Sequence, residues 1–241
     1  MNRNLSVIIP ALNEEDRILN CIYQFSLIHP LEIIVVNNGS TDNTQEMVER
    51  WIRNNITPCD LRIINLPDPG KGAAIRAGML AARGEYCYMA DCDLSTPAKD
   101  VINFIIFIKI FKADIVIGSR RMDRSKVTQS WGRKITSDIF HVLTRQLLPD
   151  IQDTQCGFKL FTHEAAQVIF SNVWLEGLAF DVEVLLEGKK SGYKILEIPV
   201  TWEDSGSSRV HIVRDGIRMA LDLARLYKNE RSRLLIPLQP L

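Results

Sequence analysis

The stretch Glu85-Tyr86-Cys87-Tyr88-Met89-Ala90-Asp91-Cys92-Asp93-Leu94-Ser95-Thr96-Pro97 decides the fold. Glu85 to Ala90 read as a strand, because aromatic and apolar side chains suit a pleated, buried surface. Two aspartates follow at once, then a turn, then Ala98–Phe111, a segment of helical length. A strand that passes through a polar turn into a helix is half of a βαβ unit.

The same alternation runs outward in both directions. Leu5–Pro10, Glu32–Val36, Leu61–Ile64 and Asp114–Gly118 are further strands, and Glu14–Leu27, Asp42–Arg53 and Lys71–Arg83 are helical segments between them. The expected fold is α/β, a mostly parallel central sheet flanked by helices on both faces. Near-continuous apolar strands agree with burial on both sides.

After residue 120 the regularity fades. Arg121–Ser130 reads as a mobile polar loop, and Ser130–Leu148 as a helix closed by Pro149. Gly157–Phe161 reads as a short strand, Thr162 as the cap of a helix running to Phe170, and Phe180–Ser191 as a helix. Lys194–Trp202 reads as one strand. An amphipathic helix near His211–Lys228 and a Pro-punctuated tail close the chain. Residues 1–210 are expected to form the main domain, with 1–120 and 121–210 as its halves and 211–241 as an appended helix and tail.

At 241 residues the chain can bury a large core. Lys plus Arg and Asp plus Glu both total 29, a balance that argues against nucleic acid as a partner. Five cysteines, an odd number with no CxxC pair, favour free thiols in a reducing compartment, hence a cytoplasmic location. The four histidines show no metal-ligand spacing. No signal-peptide pattern opens the chain, and its longest apolar run is too short to span a bilayer. A soluble or peripheral protein is expected.

In open α/β sheets, ligands bind beyond the carboxyl ends of the strands. Asn13-Glu14, Asn37-Asn38-Gly39-Ser40, Asp91-Cys92-Asp93 and Ser119-Arg120 all fall there. Among sixteen aspartates, about one Asp-x-Asp arises by chance. Position therefore matters more than spacing: two carboxylates at a strand end suit Mg²⁺ or Mn²⁺ bridging a diphosphate. A solvated turn capped by Ser95 or Thr96 is the plain alternative. The Asn37–Asp42 turn reads as a nucleoside pocket or as a βα turn with a cap. Gly70-Lys71-Gly72 opens a helix whose N-terminus attracts anions, with Lys71 as a phosphate contact or a solvated lysine. Arg120 is a phosphate or acceptor clamp, or a surface arginine. Asp153-Thr154-Gln155-Cys156-Gly157-Phe158 is an Asx turn, or brings a carboxylate to a reacting centre. Ser205–Arg209 is a lid closing on a diphosphate, or a loop.

Taken together, and in this order along residues 5–210, the motifs resemble glycosyltransferase family 2 with its GT-A fold, a Rossmann-like nucleotide-binding half plus an acceptor half. Asp153–Phe161 and Phe180-Asp181-Val182-Glu183 resemble its polyprenyl-phosphate branch, closer to the glucosyl than to the mannosyl enzymes. The resemblance implies that Pro10, Leu12, Asn13 and Glu14 line the base and ribose pocket. Asn37 stands where an aspartate usually contacts the base. Lys71 would lie near the donor. Asp91 would reach the ribose or the metal's water shell, and Asp93 would ligate Mg²⁺ or Mn²⁺. Arg120, Arg133 and Arg209 would surround the diphosphate and the acceptor phosphate. Asp153 would orient the sugar or acceptor, or act as base toward a hydroxyl.

The expected activity is inverting transfer of a sugar, glucose from UDP-glucose, onto a polyprenyl (dolichyl-type) phosphate. Rival readings are a GDP-mannose-dependent enzyme, a saccharide acceptor, a non-catalytic nucleotide-sugar binder and a nucleotidyltransferase. The last is disfavoured because Pro10–Glu14 is no Gly-rich basic loop. A lipid acceptor implies contact with the cytoplasmic membrane face. Phe104–Ile108, the Phe140–Leu148 face and the basic amphipathic helix are the candidate surfaces, with core or dimer packing as the alternative.

Overall fold

In the computed structural model of the chain, the described residues are 4–54, 58–128, 138, 140–203 and 212–234, with backbone alone at 212–215 and 230–234. The strands are β1 (Leu5–Ala11), β2 (Glu32–Asn38), β3 (Asp60–Leu66), β4 (Tyr86–Met89), β5 (Ile115–Ser119), β6 (Lys126–Thr128), β7 (Lys159–Thr162), β8 (Ile195–Pro199) and β9 (Thr201–Glu203). The helices are α1 (Ile18–Ser26), α2 (Thr44–Arg53), α3 (Lys71–Ala81), α4 (Val101–Phe111), α5 (His163–Asn172), α6 (Phe180–Lys190) and α7 (Ile212–Leu234). Residues 140–144 are also helical.

Seven strands form one sheet in the order β3-β2-β1-β4-β7-β5-β8. All neighbours are parallel except β7, which runs antiparallel to both β4 and β5. Successive strand residues point to opposite faces, and two cores result. Val7, Ile9, Val35, Tyr88 and Leu160 face α1, α2 and α4. Ile8, Ile34, Met89, Ile117 and Phe161 face α3, α5, α6 and α7. Tyr88 anchors the first core, its ring centroid 5.7–6.1 Å from those of Phe25, Phe104 and Phe158. Leu223 and Leu226 bury α7 in the second.

Several elements differ from their sequence reading. The Arg121–Ser130 loop contains β6, which pairs in parallel with β9. The single strand expected over Lys194–Trp202 is two, because the chain leaves the main sheet at Val200, whose carbonyl accepts from Lys126 N. The helix expected from Glu14 starts at Ile18. The backbone N–H groups of Asn13, Glu14 and Glu15 instead donate to Ser40, Thr44 and Asp42. Thr162 caps α5 as expected, accepting from Ala165 N at 3.3 Å. Of the helix expected over Ser130–Leu148, residues 130–137 and 139 lie outside the described residues; 138 and 140–144 are helical, and the chain turns from 145 on.

The order 3-2-1-4 places a crevice between the carboxyl ends of β1 and β4, where the direction of winding reverses. Because β7 is antiparallel, its first residue lies at that same edge. The loop that precedes it, Asp153–Phe158, is thereby delivered to the ends of β4 and β5.

Candidate active site

The ends of β1 and β2 are stitched into one wall. Asn13 is left-handed, with φ 54°, a conformation its short polar side chain tolerates. Its Oδ1 accepts from Thr41 N at 2.7 Å, while Asn13 N donates to Ser40 Oγ at 2.9 Å. Pro10, Leu12 and Glu14 are half-buried beside it. Glu14 accepts from Arg17 Nε at 2.7 Å. Asn37 is buried, and its amide N–H groups go to Gln45 Oε1 and Asn65 Oδ1 at 3.3 and 3.0 Å. Its Oδ1 accepts from Ser40 N at 3.2 Å. Asn37 thus ties β2 to β3 and α2.

Across the crevice, Lys71 Nζ meets Asp91 Oδ1 at 2.7 Å. Burial would raise the Asp91 pKa, but the Lys71 charge and hydrogen bond outweigh it and hold the carboxyl below its usual range. Lys71 responds in the opposite sense: burial lowers its pKa, and Asp91 and Asp181 more than restore it. Behind Asp91 lies Gly157, where a Cβ would fall 1.9 Å from Asp91 Oδ2. Asp93 Oδ1 accepts from Ser95 N at 3.0 Å. Leu94, the next residue after Asp93, is left-handed at φ 54°, a strained conformation of the kind that clusters at ligand clamps.

The start of α3 is less open to an anion than the sequence suggests. Gly70 N donates to Asn38 Oδ1 and Gly72 N to Glu176 O, both at 2.8 Å. Gly72 has to be glycine, since a Cβ would sit 2.2 Å from Leu175 O.

At the end of β5, Arg120 forms a fork with Asp153. Nε donates to Oδ2 at 2.7 Å, Nη2 to Oδ1 at 3.0 Å, and Arg120 N to Oδ2 at 3.0 Å. Burial pushes the Asp153 carboxyl up, but Arg120 more than reverses this and lowers it. The guanidinium also lies 5.4 Å from the Trp202 ring centroid, a cation–π contact. Beside Asp153 opens a small, water-sized recess of about 10 Å³, lined by Arg121, Phe140, His141, Gln152 and Gln155. Burial raises the neighbouring Cys156 thiol to about 12, so it stays protonated near neutrality.

Pro10, Leu12, Asn13, Glu14, Asn37, Lys71, Asp91, Asp93, Arg120 and Asp153 therefore gather along one sheet edge. Arg133 and Arg209 lie outside the described residues. The sequence assigns no role to Arg17, whose charge reaches Asp93, to Trp202, or to Gly157, Lys159 and Asp181, although the last three fall in its family motifs; Lys159 and Asp181 form a buried pair. Lys159 alone carried a signal, a single charge inside the apolar run Gly157–Phe161. Arg17 and Trp202 depend on long-range packing.

Among the described residues, no three His, Cys, Asp or Glu side chains form a metal cluster. Asp91 and Asp93 fit instead an ion that arrives with a diphosphate, since Mg²⁺ commonly uses one or two carboxylates plus phosphate oxygens and water.

The sequence pattern of the family described as "Glycosyl transferase family 2" matches residues 6–170. The dolichyl-phosphate beta-glucosyltransferase of Dictyostelium discoideum is 38% identical over 244 residues, covering 93% of this chain and 74% of that protein. The Homo sapiens protein of the same name is 34% identical, covering 92% and 74%. Among solved structures, glucosyl-3-phosphoglycerate synthase from Mycobacterium tuberculosis with bound phosphoglyceric acid superposes with a TM-score of 0.69 at 19% identity, over 92% of this chain and 79% of that one. The same enzyme with Mn²⁺, UDP-glucose and phosphoglyceric acid gives a TM-score of 0.65 at 18% identity over the same shares. The fold is the GT-A glycosyltransferase fold, and the chain belongs to glycosyltransferase family 2.

Proposed function

We propose that the chain transfers glucose from UDP-glucose to a polyprenyl (dolichyl-type) phosphate with inversion at the anomeric carbon. The observation that carries this reading is the Arg120–Asp153 fork. Asp153 is the carboxylate best placed to act as a base, yet both its oxygens accept charged hydrogen bonds and its pKa is lowered. A carboxylate so held is a poor proton acceptor. The reaction it suits has an acceptor that needs no deprotonation, and a phosphate monoester is already anionic near neutral pH. Curated relatives that span over nine-tenths of the chain bear the name dolichyl-phosphate beta-glucosyltransferase, which supports the same acceptor and sugar.

A phosphate oxygen of the acceptor attacks the anomeric carbon from the face opposite the departing UDP. The carbon–oxygen bond to the diphosphate breaks as the new one forms, and an α-linked donor gives a β-linked product. Arg120, fixed by Asp153 and Trp202, orients the acceptor phosphate. Arg133 is assigned to the same phosphate and Arg209 to the diphosphate, on the family resemblance. Pro10, Leu12, Asn13, Glu14 and Asn37 hold the nucleoside, and Lys71 lies near the donor. Asp93, supported by Asp91, would hold Mg²⁺ or Mn²⁺, which offsets the charge that grows on the leaving diphosphate.

Among the described residues no helix is long and apolar enough to cross a membrane. Exposed apolar side chains on two adjoining segments support contact with the lipid that carries the acceptor. Ile217 and Leu221 of α7 are 59% and 57% exposed, and Val142 and Leu143 are 68% and 43% exposed. The two segments touch through Tyr227 Oη, which donates to Leu143 O at 2.7 Å. Exposed Arg218, Arg225 and Lys228 accompany them, as on a helix lying in an anionic interface.

The test offers UDP-glucose to polyprenyl phosphate, to the corresponding polyprenol and to an oligosaccharide. Glucose is expected on the phosphate alone; transfer to the polyprenol or the saccharide at comparable rates would overturn the reading.

A further inference from the structure

One pair of charges lies beneath the site and takes no part in the chemistry above. Lys159 opens β7 and is fully buried. Its Cα pairs with Met89 on one side and Ile117 on the other, so it sits just below the ends of β4 and β5. Its ammonium donates to the Asp181 carboxylate, in the first turn of α6, and to Cys156 O at 2.7 Å.

Stability alone is a weak reason for such a pair. Desolvating two charges is costly, and well-packed apolar residues of similar volume are often as stable or more so. What the pair does locally is fix the Cys156 carbonyl, and with it the Cys156–Gly157 peptide. The Asp91 carboxylate rests on that peptide with no side chain between: a Cβ on Gly157 would lie 1.9 Å from Oδ2 and 2.7 Å from Cγ. On its other side the Asp91 carboxylate accepts from Lys71, a partly exposed lysine at the start of α3. One support is a flexible side chain and the other a backbone floor anchored to a buried ion pair.

We propose that Lys159 and Asp181 are positioning residues. They lock the Cys156–Gly157 floor that holds the Asp91 carboxylate, and so set the affinity of the Asp91–Asp93 turn for a divalent cation carried on a nucleoside diphosphate. The inference rests on the assignment of that turn to a cation–diphosphate.

Calorimetric titration of UDP into the whole chain, with and without Mn²⁺, tests it. The variant is Lys159→Met/Asp181→Val, which removes both charges and leaves neither unpaired. It is expected to melt within a few degrees of the parent and to bind UDP alone equally well. Mn²⁺·UDP should bind about 10–100-fold more weakly, the usual cost of losing support behind a metal ligand. A folded double variant with parental affinity for Mn²⁺·UDP overturns the proposal. If that variant does not fold, Gly157→Ala carries the same comparison by pushing a Cβ into Asp91, and unchanged Mn²⁺·UDP affinity there overturns it equally. A parent chain that binds UDP no more tightly with Mn²⁺ than without overturns the metal assignment itself, a failure seen in the parent rather than in the variants.

Discussion

Asp153 holds Arg120 by three hydrogen bonds, two from the guanidinium and one from its backbone N–H. The carboxylate comes from the loop before β7 and the arginine from the end of β5, so the contact joins the two halves of the chain at the reacting edge. Asp153→Asn keeps the shape and removes the charge that fixes Arg120. Because misplacing a reacting group by about 1 Å can cost ~10²-fold, turnover is expected to fall by about that factor, with the donor KM changed less than about threefold. Unchanged turnover in a folded Asp153→Asn variant would remove the pair from the mechanism.

The same contact predicts a pH dependence of stability. Burial raises the Asp153 pKa and Arg120 lowers it by more, leaving it depressed. The same balance depresses Glu32, where burial is outweighed by Ser6, Arg83 and Arg62. A depressed carboxyl stabilises the fold above its unfolded pKa of about 4 and loses that contribution as pH falls through the lower folded value. Glu183 acts in reverse: burial raises it despite the N–H groups of Leu175 and Trp174, so its contribution fades as pH rises through its raised value. Melting curves of the parent and Asp153→Asn should therefore differ near neutrality and converge below pH about 4. A gap that persists undiminished to the lowest pH at which both fold would contradict the assignment.

Asp93→Asn tests the cation. A lost charge-stabilising contact worth ~3 kcal/mol corresponds to a factor of ~10² in kcat/KM. The variant should lose at least that much and require more Mn²⁺ for half-maximal rate, while Asp91→Asn should weaken donor binding in the presence of Mn²⁺. Full activity of the parent after exhaustive chelation would refute the role.

Membrane contact predicts co-flotation of the chain with anionic vesicles. Ile217→Ser/Leu221→Ser should reduce it several-fold without changing the melting temperature, because both side chains are exposed. Equal flotation of parent and variant would move the contact elsewhere.

The strands of the nucleotide-binding half were legible because each is a short apolar run ending in a polar cluster. Rossmann-type winding then puts those clusters at one edge whatever the details of packing. The β7 reversal was not legible: Lys159–Thr162 looks like any short strand, and its direction depends on pairing with residues about 45 and 70 positions away. That reversal is what brings Asp153 to Arg120 and Gly157 to Asp91. β6 was hidden because three half-polar residues carry no periodic signal and gain strand form only against β9. The family resemblance puts Asn37 where an aspartate contacts the base, and its tie to Asn65 and Gln45 is visible only once β3 and α2 lie beside it.

Transfer of glucose to a lipid phosphate with inversion leaves a product that can be read directly. The most direct measurement incubates the chain with radiolabelled UDP-glucose, polyprenyl phosphate and Mn²⁺, extracts the lipid phase, and determines the anomeric configuration of the product. The account predicts label in the lipid phase as a β-linked glucosyl phosphate, abolished by chelation and reduced in Asp93→Asn. Label confined to the aqueous phase, an α-linked product, or lipid labelling from GDP-mannose in preference to UDP-glucose would contradict it.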